Sequence, residues 1–238
     1  MLQELIFLKI RKQFNALRIE MMDLLAQKFP HDPSLYIREA CYGGIKSYDA
    51  FVLNRLLYRY RPQAILEIGC FIGLSSRWIL ESTAAWKPKL VAVDPNIPHR
   101  VFEEPQQIYQ EFTAKKFPDR LEYHEAFFSD GALDNDLTRH FPHKAKFWVP
   151  AEGQTFDFIF VDAGHSYEEV KHDYQLALRY IKKGGVIVFH DALTWPGVAQ
   201  LTQEIGAKIY QPWWYKRWQA FFNQRGWFID GVASIQIH

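Results

Sequence analysis

The chain has 238 residues, enough to bury a sizeable core, and its 28 lysines and arginines against 27 aspartates and glutamates leave a formal net charge of +1. No global field therefore steers it to nucleic acid or to an anionic membrane, and a small or neutral partner fits better. Two cysteines, Cys41 and Cys70, are too few for a disulfide framework. With no apolar run near the ~18 residues of a spanning helix, and a start from Met1 to Arg11 too charged for a signal peptide, the expectation is a whole cytoplasmic protein.

From Leu2 to Lys28 apolar residues recur at three- and four-residue steps, among them Leu5, Phe14, Met21 and Leu25. That pattern predicts one or two amphipathic helices, packed on the body of the protein or against a second copy in a homodimer. Pro30 and Pro33 break it, Gly43-Gly44 follow, and a second helical pattern runs from Tyr48 to Tyr60 before Pro62. Residues 1–42 thus read as a helical extension or lid on a domain spanning 43–238.

The most informative stretch is Ala64 to Ser76. Ile65, Leu66 and Ile68 suit a strand buried on both faces, which stops at Gly69, turns through Gly73 and enters a helix with Leu74, Trp78 and Leu80. A dinucleotide loop needs a glycine where Phe71 stands. The spacing is instead Glu67-x-Gly69-x-x-x-Gly73, with an acid that repels a pyrophosphate and would hold an ammonium. A tight turn with no ligand is the plainer alternative.

Lys89 to Asp94 reads as a second buried strand, followed by Pro95. An acid at that tip, about 20 residues past the loop, is placed to accept two hydrogen bonds from ribose hydroxyls, or merely to cap the turn. Glu103 to Phe117 reads as a helix and Leu121 to Ala126 as a third strand. The polar segment from Asp134 to Pro150 has little periodicity. Phe156 to Asp162 forms a fourth strand, continued by Ala163, Gly164 and His165, then a helix through Tyr174, Leu178 and Ile181. Gly184-Gly185 ends that helix and Val186 to Asp191 is the fifth strand.

Asp162 and Asp191 therefore end adjacent strands about 4.8 Å apart. Two ionised carboxylates that close repel by roughly 3 kcal/mol at an effective dielectric of 20. A divalent cation, a shared proton, or a neighbouring His165 or His190 would offset this. Strand alternation points His190 away from Asp191. A helix opens at Trp195, and Trp195, Trp213, Trp214, Tyr215 and Trp218 crowd one segment. They suit a pocket for a flat or apolar acceptor, the core, or a dimer contact. The tail from Gly226 to His238 alternates as a terminal antiparallel strand.

The run Leu66 to Ser75, with acids at Asp94, Asp162 and Asp191, resembles class I S-adenosylmethionine (SAM) methyltransferases, most closely the small-molecule O-methyltransferases related to catechol O-methyltransferase. The resemblance implies a Rossmann-like three-layer sandwich whose seven-stranded, mostly parallel sheet has an antiparallel last strand. It further implies that Glu67 serves the methionine end of SAM and Ser75 its carboxylate, with Gly69, Cys70, Phe71 and Gly73 as the loop. Asp94 and Pro95 would lie at the ribose, Ala126, Phe127 and Ser129 at the adenine, Asp162 beside the cofactor, and Tyr42 and Gly44 in a segment closing over it. In that family the acids matching Asp162 and Asp191 bind a magnesium-type ion. This chain departs from the pattern with Ala192 where an asparagine ligand is usual and His165 where a catalytic lysine is usual. His165 is a competent base at neutral pH. The expected activity is O-methylation of a small molecule, with metal assistance as an option. A cephalosporin-hydroxylase-like relative or a non-catalytic SAM-binding partner subunit are the alternatives.

Overall fold

The computed structural model describes residues 2–131, 136–212 and 230–238. Helix α1 (Leu2–Lys28) is a single long helix that buries Ile10, Phe14, Met21 and Leu25. Those spacings of four and seven residues place the four side chains on one face. Helix α2 (Pro33–Gly43) starts on Asp32, whose side chain caps Leu35 N, and helix α3 (Ser47–Tyr60) follows.

The central strand is β1 (Ala64–Ile68), leading into α4 (Leu74–Ser82), β2 (Lys89–Asp94), α5 (Pro105–Phe112) and β3 (Leu121–Glu125). A two-residue ribbon, β4 (Phe127–Phe128) with β5 (Phe147–Trp148), flanks the short helix α6 (Asp136–His140). Then come β6 (Phe156–Val161), α7 (Tyr167–Ala177), β7 (Ile181–Phe189), α8 (Pro196–Glu204), β8 (Lys208–Tyr210) and β9 (Val232–Gln236).

The sheet order is β3-β2-β1-β6-β7-β9-β8, with β9 antiparallel to both neighbours and the pairs from β3 through β7 parallel. This is the seven-stranded, mostly parallel sandwich that the motif resemblance implies. After β1 the chain runs outward through β2 and β3, then returns to β6 on the other side of β1. The switch point lies at the carboxyl ends of β1 and β6, where ligand crevices form in such sheets.

Alternation along the strands builds two apolar layers. Ile65, Phe158, Phe160 and Val188 meet α1, α3 and α4 on one face, while Leu66, Ile159, Val161 and Ile187 meet α7 and α8 on the other. Helix α1 is knitted into the first layer, with Phe14 edge-on to Trp78 at 5.3 Å and Trp78 Nε1 donating to Ala50 O at 2.8 Å.

Two boundaries differ from the sequence expectation. Helix α7 ends at Ala177, and β7 already starts at Ile181, so Gly184 and Gly185 lie inside a strand. Gly184 has φ +82° and its N–H donates to Ile237 O at 2.7 Å, so the glycines serve an irregular strand start rather than a helix stop. The helix expected from Glu103 to Phe117 is α5 plus a separate short turn at Ala114–Lys116.

Candidate active site

The carboxyl ends of β1, β2, β6 and β7 open into one cavity of about 1200 Å³. Its floor is the turn after β1. Gly69 takes φ +80°, and a Cβ there would overlap the Asp162 carbonyl oxygen at the tip of β6. Its N–H is bonded to Val93 O at 2.9 Å, so the turn is clamped between both neighbouring strands. Gly73 takes φ +91°, but a Cβ there would meet Thr113 Oγ1 at 2.7 Å and Tyr109 Cδ2 at 2.8 Å. Gly73 does not line the cavity. Its lack of a side chain serves helix packing behind the loop.

The acid at the tip of β2 holds this turn in place. Asp94 Oδ2 accepts from the backbone N–H groups of Cys70 and Phe71, each at 2.9 Å, and Oδ1 accepts from Asn96 N at 2.8 Å. Burial raises the Asp94 carboxyl, and those three N–H donors pull the other way. A carboxylate offers about four lone-pair sites. Capacity for a further donor therefore remains on Oδ1, and Asp94 faces the cavity together with Pro95.

Glu67 lies elsewhere. It is fully buried, does not line the cavity, and bonds Ser76 Oγ through Oε2, while Oε1 has no partner. Burial pushes its carboxyl up to about 8. The side chain of Glu67 thus lies beneath the loop, on Ser76, rather than at the cavity surface where a methionine ammonium was expected to meet it. Ser75, Cys70 and Phe71 do line the cavity, as do Ala126, Phe127, Tyr42 and Gly44. Ser129 does not; its Oγ accepts from Gly131 N at 3.2 Å.

At the opposite wall the two acids meet two histidines. His165 Nε2 is 2.7 Å from Asp191 Oδ2, and His190 Nδ1 is 2.9 Å from Asp162 Oδ1 and 3.5 Å from Asp191 Oδ2. Burial alone would raise Asp191, but His190 and His165 outweigh it and hold the carboxyl low. Burial alone would lower both imidazoles, yet Asp191 raises His165, and Asp162 with Asp191 raises His190 well above the ordinary range. The His165 ring stacks on Trp195 at 4.5 Å and 13°. Trp195 lines the cavity, whereas Trp213, Trp214, Tyr215 and Trp218 lie outside the described residues.

His190 was expected on the far side of its strand. β7 ends at Phe189, and Asp191 adopts φ +61°, so alternation no longer applies where the chain leaves the sheet. Three further residues escaped the sequence reading. Asp49 on α3 and Asp230 before β9 face His190 Nε2 at 3.6 and 3.9 Å, and Lys46 Nζ meets Asp230 Oδ2 at 3.0 Å. Asp49 also accepts from Lys46 N, the signature of a helix cap, and nothing local announces its proximity to a histidine 141 positions away in the chain.

Asp162, His165 and Asp191 offer donor atoms within 4.8 Å of one another. A magnesium-type ion demands oxygen ligands in near-octahedral array. Here the third donor is an imidazole, and each carboxylate already accepts from a histidine. The set does not suit that ion, and the histidines meet the electrostatic demand that made a cation attractive.

A family model described as a methyltransferase domain matches residues 66–192. An uncharacterised protein of Acanthamoeba polyphaga mimivirus is 30% identical over 227 residues, 91% of this chain and 94% of that one. Among solved structures, an O-methyltransferase from Bacillus cereus in complex with S-adenosylhomocysteine superposes with a TM-score of 0.57 at 15% identity, over 94% of this chain and 91% of that one. The O-methyltransferase TomG from Streptomyces achromogenes, in complex with SAM, gives 0.54 at 18% identity, over 92% and 90%. At such identities the likeness is one of fold.

Proposed function

Because the chain belongs to the methyltransferase domain family, we propose that it moves the methyl group of SAM to a hydroxyl of a small molecule, with His165 as the base. The observation that carries this reading is the His165 imidazole, 2.7 Å from Asp191 and stacked on Trp195, in the same cavity as the glycine turn. SAM supplies an electrophilic methyl on sulfur. The turn Gly69–Phe71 and Ser75 would hold its amino-acid end, Asp94 and Pro95 its ribose, and Ala126 with Phe127 its adenine. Residues 1–42 form a helical cover on the 43–238 domain, with Tyr42 and Gly44 at the cavity rim.

Nε2–H of His165 donates to Asp191, which leaves Nδ1 to take the acceptor's hydroxyl proton. An oxygen lone pair then forms the C–O bond as the S–C pair returns to sulfur, and the proton stays on His165. Most of the protein's contribution is alignment of the two reactants. His165 acts in its neutral form, and Asp191 raises its pKa. Turnover should therefore rise with pH through a midpoint above the ~6.5 of free imidazole. S-adenosylhomocysteine release from a panel of small phenols and alcohols, followed from pH 5 to 9, tests this. A flat profile in that range, or no methylation of any hydroxyl compound, would overturn it.

A further inference from the structure

Among the described residues, every other buried acid has a partner. Asp49 accepts from two backbone N–H groups, Glu67 from Ser76, Asp94 from three N–H groups, Asp191 from two histidines, and Asp230 from Lys46. Asp173 on α7 is the exception. It is 8% exposed, lines the cavity, and has no hydrogen bond or ion pair. Its carboxyl oxygens are not sealed off from the cavity, so a bound ligand can reach a group that no side chain or backbone N–H of the protein satisfies.

Its surroundings indicate the use. Asp173 lies one turn beyond Glu169 on the same face of α7. That face reaches the cavity past Gly164, where a Cβ would collide with the Glu169 side chain. Ala126 and Phe128 belong to the same apolar cluster as Val170, Leu176 and Ala177 of α7, and Ala126, Phe127 and Phe128 line the cavity. Apolar side chains suited to a flat ring and a carboxyl without a hydrogen-bond partner thus line one cavity.

We propose that Asp173 recognises the amino edge of the cofactor's adenine, accepting a hydrogen bond from the exocyclic N6 amino group. This rests on the SAM reading above. Burial, with Glu169 adding to it, pushes the Asp173 carboxyl well above the ordinary range. Whenever the carboxyl is protonated its O–H also has an acceptor in adenine N1, while its C=O keeps the bond from N6.

The test is calorimetry of S-adenosylhomocysteine against its 6-deamino analogue, whose purine carries hydrogen at C6. Wild-type protein should prefer the amino compound by about 10-fold or more. In Asp173→Leu the preference should fall below about 3-fold, because the deamino analogue binds at least as well as before. Asp173→Asn, which keeps an acceptor oxygen, should retain most of the preference. The ligand-free leucine variant should melt no lower than wild type; if it does not fold, Asp173→Ala gives the same comparison. Equal wild-type binding of the two ligands, or an unchanged preference in the leucine or alanine variant, overturns the proposal. Wild-type protein that binds neither ligand overturns the SAM reading itself, and this inference with it.

Discussion

Two pairs of acids end the central strands, and the protein treats them in opposite ways. At β1 and β2, Glu67 sinks beneath the turn beside Ser76, and Asp94 spends three acceptor sites on backbone N–H groups. At β6 and β7, Asp162 and Asp191 each face a histidine. The first pair is committed to the shape of a loop, the second to the charge of two imidazoles. Position at a strand tip therefore does not say whether an acid faces the cavity, as Asp94, Asp162 and Asp191 do, or lies beneath it, as Glu67 does; its hydrogen-bond partners say what it does there.

The sharpest way to break this contrast is at the second pair. His165→Ala should lower turnover by about 10²-fold while leaving S-adenosylhomocysteine affinity nearly unchanged, because a base acts in the transition state. Steady-state kinetics beside calorimetry would separate the two effects, and a loss confined to affinity would move His165 to the binding side.

Next in size is the first pair. Asp94→Ala removes a carboxylate that accepts three N–H donors and faces the cavity, so affinity should fall by about 10- to 150-fold, through both the ribose contact proposed above and a loosened turn. Hydrogen exchange should show the Cys70 and Phe71 amides losing protection. Unchanged exchange would mean that the turn holds without its acid.

Glu67→Gln tests burial rather than binding. The folded carboxyl sits at about 8, against ~4.3 for an ordinary glutamate. Between those values the unfolded chain has lost its proton and the folded chain has kept it, so wild-type stability falls as pH rises through that window. The glutamine variant should lack this slope in thermal melts and should bind S-adenosylhomocysteine as wild type does. A large loss of affinity would return Glu67 to the cofactor.

The smallest expected effect is none at all. Exhaustive chelation should leave turnover within about 2-fold, since His165 and His190 already balance the two carboxylates. Loss of activity restored by magnesium would show that the histidines yield to an ion.

The chain order of strands, the glycine turn and all four strand-tip acids were legible in the sequence because each rests on local signals. Buried runs, glycine spacing and an acid after an apolar run lie within a dozen residues of one another. The jobs of those acids were not legible, since they depend on partners far along the chain. Asp49, His190 and Asp230 meet only because α3, the end of β7 and the start of β9 converge. His190 was misplaced for a related reason. Alternation holds within a strand, and the residue stands one step beyond the end of its own.

The place of β9 has a consequence for the order in which the molecule can be finished. β9 lies between β7 and β8, and the pairing partner of β8 is β9. While the chain is being made, residues 208–210 therefore have, among the described residues, no strand to join until residues 232–236 have left the ribosome. Asp230 arrives in the same late stretch, so Lys46 and His190 wait for it as well. A nascent chain that has already built β1 to β7 presents an open edge at β7, to which any extended segment can add. The last strand is thus both the closing piece of the sheet and its protection against pairing with a neighbour on the same messenger.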